Sequence, residues 1–93
     1  MVKQVKASHI LVKTEDQAND ILKRLAAGED FAALAKRFSK CPSGEKGGDL
    51  GWFGKGMMVP GFEKTAFEAD EGKVSGPVKT QFGYHLILVT GRK

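Results

Sequence analysis

The spacing of apolar residues changes period along this chain, and each change predicts an element. Alternation, clearest after Lys6, predicts a first strand over about Val2 to Lys13. Thr14-Glu15-Asp16-Gln17 then reads as a capping box, with the threonine hydroxyl and the glutamine side chain satisfying free amides at a helix start. Ala18, Ile21, Leu22, Leu25 and Ala26 follow at helical spacing as one apolar stripe, and Gly28 closes that helix. A second short helix after Asp30 buries Phe31, Leu34, Ala35 and Phe38. Between Lys40 and Gly56 the pattern breaks, because Gly44, Gly47, Gly48, Gly51, Gly54 and Gly56 crowd the segment. Such density predicts turns and at most one short strand, Leu50 to Phe53. Pro60 suits the first turn of a third helix that carries Phe62, Ala66 and Phe67 inward. Gly72 ends that region, Val74 to Val78 reads as an interrupted edge strand, and Gly83 to Thr90 as the last strand.

That order predicts an α+β fold in a single domain over residues 1–93. A small, mainly antiparallel four-stranded sheet is surrounded by helices in the order β-α-α-(α)-β-α-β-β, the bracketed helix being optional. The two histidines then stand out, since both lie in strands. Alternation puts His9 on one face with Ala7 and Leu11, and His85 on one face with Ile87 and Val89. A ring facing a core needs a hydrogen-bond partner, at a cost of roughly 1–3 kcal/mol if it has none. The simplest expectation is that the histidines serve each other or a common partner.

Composition narrows the function classes. A 93-residue chain that is 41% hydrophobic and 28% charged fits an ordinary globular domain with a modest core. No apolar run approaches the roughly 20 residues that cross a bilayer, so no membrane partner is expected. Met1 to Lys6 offers no apolar leader core, and a secretory precursor is not expected. Cys41 is the one cysteine, which excludes an intramolecular disulfide and suits a reducing, cytoplasmic compartment. The net charge of +4 is mild and its cations interleave with acids, so nucleic-acid binding is not indicated.

Cys41, His9 and His85 admit several chemistries. A structural zinc site wants four ligands, and no Cys-x-x-Cys or closely spaced histidine pair is present, so no metal is expected. A cysteine hydrolase needs an activated thiolate with an oxyanion donor nearby, and Pro42 removes one such N–H. Without further context, a free thiol and two satisfied core histidines is the leading reading.

Context comes from five stretches in order. They are His9-Ile10-Leu11-Val12-Lys13, Cys41-Pro42-Ser43, Gly48-Asp49-Leu50-Gly51-Trp52-Phe53, Met58-Val59-Pro60-Gly61-Phe62 and Ser75 to His85. With these the chain resembles the parvulin-type peptidyl-prolyl cis/trans isomerases over almost its whole length, and most of all the small stand-alone bacterial ones. The resemblance implies an apolar pocket for a substrate proline ring at Leu50, Met58 and Phe62. It implies paired histidines at His9 and His85, a loop thiol at Cys41 and a hydroxyl of the same polar cluster at Thr80. Phe82, beside the pocket, stands where some relatives carry serine. Plain core packing would equally account for Leu50, Met58 and Phe62; Met58, a flexible thioether beside glycines, fits that account least well.

The implied activity is acceleration of X-Pro rotation in unfolded or flexible proline-containing polypeptides, by a monomer without cofactor acting as a folding helper. A thiolate adding to the carbonyl is the weaker mechanism, since rotation needs no nucleophile and only Lys40 is basic beside Cys41. The alternative is a noncatalytic module that holds extended peptides in the same groove. A phosphate-directed branch of the family uses a basic cluster after the first strand. Here that loop keeps only Lys13, followed by Glu15 and Asp16, while Arg24 and Arg37 are expected to project into solvent elsewhere.

Overall fold

In the computed structural model, which describes residues 3–93, Val5, Ala7, Ile10 and Val12 are all buried. A strand buries residues of both parities only when both its faces are covered. That strand is β1 (Gln4–Val12), an inner member of a four-stranded sheet with β2 (Asp49–Gly54), β3 (Val74–Thr80) and β4 (Gly83–Arg92). The order is β2-β1-β4-β3, and each of the three pairings is antiparallel. The strand expected from Val2 thus begins at Gln4, with Val2 itself outside the described residues.

Helices cover the two faces separately. Ile10, Val12 and Leu86 pack with Ala18 and Ile21 of α1 (Glu15–Ala26) and with Phe31, Leu34 and Ala35 of α2 (Phe31–Phe38). Val5, Ala7, Phe53, Ile87 and Val89 face Phe62 and Ala66 of α3 (Pro60–Glu68). Each large side chain so buried contributes about 1.5–3 kcal/mol, which gives this small sheet two cores, one on each face.

Local signals explain the boundaries. Thr14 Oγ1 accepts the Gln17 N–H at 3.2 Å, while Gln17 Oε1 reaches back to the N–H of Lys13, also at 3.2 Å. The reciprocal cap is therefore present, displaced by one residue from the usual return bond. Ala26, expected on the buried stripe, is exposed, because α1 ends there before the chain turns at Gly28 (φ 99°). Asp30 caps α2 through the Ala33 N–H at 3.1 Å. Between α2 and β2, Pro42–Lys46 winds as a 3-10 turn. Arg24 and Arg37 do not simply trail into solvent: their guanidiniums lie 5.3 and 5.1 Å from the centre of the Phe38 ring, shielding its outer face.

Register irregularities position the site. Along the β1–β2 ladder Ala7 pairs with Gly51 and Ser8 with Asp49, leaving Leu50 as the extra residue of a bulge. Bulges re-aim side chains, and this one turns Leu50 toward the α3 face. On the β1–β4 ladder His9 pairs with Ile87 and Leu11 with His85, so the histidines are diagonal neighbours on that face.

Candidate functional site

A solvent-open pocket of about 470 Å³ lies at the end of the sheet, on the α3 side. Its deepest wall is aromatic. The rings of His9 and His85 stack with centroids 5.2 Å apart, and their Nδ1 atoms are 3.0 Å apart, one donating to the other. The Phe62 ring stands nearly perpendicular to both, its centroid 5.4 Å from that of His9 and 5.2 Å from that of His85. All three are almost wholly buried, at 5%, 4% and 2% exposed.

The polar chain continues behind the wall. His85 Nε2 is 2.7 Å from Thr80 Oγ1, which also accepts the Phe82 N–H at 3.2 Å. One proton between the two Nδ1 atoms permits two neutral arrangements. Either Thr80 donates to His85 and His85 to His9, or His9 donates to His85 and His85 to Thr80. Burial, and then the neighbouring His85, lowers His9 to a pKa of about 4, and burial also lowers His85. Both rings are accordingly neutral near pH 7.

Backbone contacts hold the remaining parts in place. Ser39 Oγ accepts the N–H groups of Leu11 (3.1 Å) and Cys41 (3.3 Å), and the Lys40 N–H donates to the Leu11 carbonyl at 2.7 Å. The loop carrying Cys41 is thereby bolted to β1 two residues beyond His9. Gly48 accepts the His9 N–H at 2.9 Å and has a φ of 84°. A Cβ on Gly48 would run into the His9 carbonyl oxygen, so this approach requires glycine. Gly76 (φ 125°) does the same for His85, whose carbonyl oxygen would lie 2.6 Å from an added Cβ.

The structure brings together His9, Cys41, Leu50, Met58, Phe62, Phe82 and His85 on one pocket; Thr80 stands behind His85 and does not line it. Phe82 and Met57 form the exposed rim, at 59% and 66% exposed. Leu11, Lys40, Pro42, Met57 and Val59 also line the pocket without having been singled out for it. Leu11 could have been found, since it shares the face of His9, and the others directly flank Cys41 or Met58 in sequence. Among the described residues, no three histidine, cysteine or carboxylate side chains converge as metal ligands would. The arrangement can hold a compact apolar group and present neutral polar side chains beside it.

Comparison with known proteins places this geometry. Residues 1–93 match the family described as the PPIC-type PPIase domain. The chain is 56% identical over 91 residues to the foldase protein PrsA of Halalkalibacterium halodurans, covering 97% of this chain and 27% of that protein. It spans about a third or less of the length of such curated relatives. The crystal structure of the peptidylprolyl isomerase PrsA from Bacillus anthracis superposes with a TM-score of 0.96 at 47% identity, over 99% of this chain and 43% of that one. The solution structure of NmPin, the parvulin of Nitrosopumilus maritimus, matches nearly end to end: TM-score 0.88, 47% identity, 96% of this chain and 97% of that one.

Proposed function

The chain belongs to the parvulin, or PPIC-type, family of peptidyl-prolyl isomerase domains, and on that premise we propose that it accelerates cis/trans rotation about X-Pro bonds in unfolded or flexible polypeptides. The observation that carries the reading is a neutral, stacked histidine pair forming the wall of a solvent-open apolar pocket. Rotation about a peptide bond faces about 18–20 kcal/mol because resonance stiffens the C–N bond. The two X-Pro isomers differ by only about 0.5–1 kcal/mol, so exchange is slow without being uphill. A catalyst needs only to hold the ring, exclude water from the carbonyl and favour the twisted amide. Leu50, Met58 and Phe62 are the ring clamp in this proposal. Cys41, His9, His85 and, through His85, Thr80 set the polarity at the rotating carbonyl, while Phe82 shields the mouth.

Phosphate direction is not part of the activity, since the loop after β1 places Glu15 and Asp16 beside its single cation, Lys13. We also propose a cytoplasmic monomer. The lone thiol supports a reducing compartment, and of the large exposed apolar side chains Trp52, Met57 and Phe82, the last two belong to the pocket rim. The deciding experiment is NMR exchange spectroscopy on an Ala-Pro peptide in tenfold excess over protein. Exchange well above the uncatalysed pace of tens to hundreds of seconds is expected; unchanged cross-peaks would leave only a peptide-holding module.

A further inference from the structure

Met57, Met58 and Val59 line the pocket from a stretch that is neither helix nor strand, the connection between β2 and α3. Connections of that kind are the mobile parts of a domain unless something ties them down. Here both ends are tied by one residue. Glu63 donates its backbone N–H to the Val59 carbonyl at 2.9 Å, and its carboxylate accepts the N–H of Gly56. Phe62, the residue before it, lines the same pocket, and Met58 and Val59 pack against the core cluster that holds Phe62. Two weaker contacts act on the same turn. Met57 Sδ accepts the Gly54 N–H at 3.2 Å, and Lys55 Nζ lies 5.6 Å from the centre of the Phe67 ring, one turn along α3 from Glu63. A thioether is a weak acceptor and an exposed cation over a ring a modest tie, whereas hydrogen bonds to a carboxylate are short and strong.

Resting on the isomerase reading of the pocket, we propose that Glu63 is a positioning residue that sets how closely the pocket fits the proline ring. Glu63 does not line the pocket; it acts through the backbone of Gly56. With that bond made, Met57, Met58 and Val59 are held between two fixed points on α3. Without it the turn swings away from the helix, and a ring is gripped only in the fraction of molecules whose turn is closed. Apparent affinity falls by that fraction. The polar side of the pocket is untouched, because His9, His85 and the Cys41 loop are secured by separate bonds. The loss therefore falls on KM and not on kcat, and a loosened pocket discriminates less against a ring larger than proline. An acid in the first turn of a helix also favours the helix dipole, so the charge and the hydrogen bond have to be separated.

The test compares the parent with Glu63→Gln, which drops the charge but keeps an acceptor oxygen, and Glu63→Ala, which drops both. Exchange kinetics and amide shift titrations are run with an Ala-Pro peptide and with its pipecolyl homologue, whose ring has six members. In Glu63→Ala, KM and Kd for Ala-Pro should rise by about two- to tenfold, the equilibrium worth of one hydrogen bond, with kcat nearly unchanged. The ratio of pipecolyl to prolyl kcat/KM should rise as well, and Glu63→Gln should restore most of both. Lys64→Ala, at the exposed next position of α3, should move neither. If Glu63→Ala does not fold, Glu63→Asp takes its place, since the shorter stem draws the carboxylate back from Gly56. Parental KM and ring ratio in Glu63→Ala would overturn the positioning role and leave the isomerase standing. A glutamine variant as impaired as the alanine one would also overturn it, by assigning the effect to charge at the helix start. Peptide binding by the parent without turnover would overturn the isomerase reading, and the same shifts in Kd and in the ratio of affinities would then decide the role of Glu63.

Discussion

Replacing both histidines should harm the fold less than the two single replacements added together. His9 and His85 lean on each other through one Nδ1–Nδ1 hydrogen bond of 3.0 Å in a site where each is about 5% exposed or less. His9→Phe keeps the aromatic volume against Phe62 but leaves His85 Nδ1 buried without its partner, and His85→Phe does the converse. An unsatisfied buried polar group costs about 1–3 kcal/mol, whereas removing both partners with apolar replacements of similar shape can be nearly neutral. The double variant orphans neither Nδ1 and so regains both penalties, a coupling of about 2–6 kcal/mol, while it still lacks the bond from Thr80 to His85 Nε2. For a domain of this size 1 kcal/mol moves the melting midpoint by about 4–8 °C. Each single variant is then expected to melt at least several degrees lower, and the double variant about where the milder single one does. The assay is urea unfolding followed by circular dichroism, fitted for the two singles, the double and the parent. Additivity within about 0.5 kcal/mol is the rule for sites that do not interact. Finding it here would refute a mutual pair and make each histidine's role independent.

The other expectations concern pH, the thiol and phosphate. His9 is lowered to about 4 and His85 is also lowered, so the unfolded chain takes up protons below about pH 6.5 that the folded chain refuses. Stability should be level above that pH and decline as it falls toward 4, by about 3 kcal/mol from His9 alone; denaturant midpoints flat between pH 7 and pH 4 would contradict this. Cys41→Asp should retain substantial turnover while Cys41→Ala loses more, because the role assigned to the thiol is polarity; a folded but inert aspartate variant in the exchange assay would revive nucleophilic attack. A phosphoserine-Pro peptide should be turned over no better than its glutamate counterpart at 0.1 M salt, since a dianion needs converging donors that Lys13 and Lys40 do not supply. A large phosphate preference in competition kinetics would show that the basic residues converge in solution.

Much of this arrangement was legible because the sequence states it locally. Thr14, Asp30 and Gly28 mark helix ends through their own backbone chemistry, and alternation alone assigned His9 and His85 to faces. Their meeting is a consequence of topology. Only the β1–β4 pairing and its register, Leu11 opposite His85, bring residues 76 apart in sequence within hydrogen-bond reach. Leu50 illustrates a harder case, since a strand over Leu50 to Phe53 says nothing of a bulge that isolates Leu50 and turns it to the pocket. The rim was least legible. Met57 is held by its own thioether, which accepts the Gly54 N–H at 3.2 Å, and Glu63 takes the Gly56 N–H. The first is a turn contact and the second ties that turn to α3, and neither leaves a periodic trace. The same holds for Arg24 and Arg37, whose helical positions predicted solvent but whose guanidiniums converge on Phe38 once α1 and α2 pack.

The protonation state of the pair decides which way the pocket pushes an amide. In a planar amide, resonance draws electron density onto the carbonyl oxygen, and in the twisted form that density returns to nitrogen. A cation beside the oxygen therefore stabilises the planar states and raises the barrier, while a neutral, dry wall removes the water that does the same. Burial holds His9 and His85 neutral at pH 7, and Phe62 closes the wall against solvent. Thr80 then has a further use. By occupying His85 Nε2 at 2.7 Å it meets that ring's second polar demand without a carboxylate, which would have drawn a second proton onto the rings. On the proposed reading, a threonine rather than an aspartate behind His85 leaves burial unopposed in keeping the wall uncharged. Thr80→Asp is accordingly a sharper probe of mechanism than truncation, because it turns the same hydrogen bond into one that favours imidazolium.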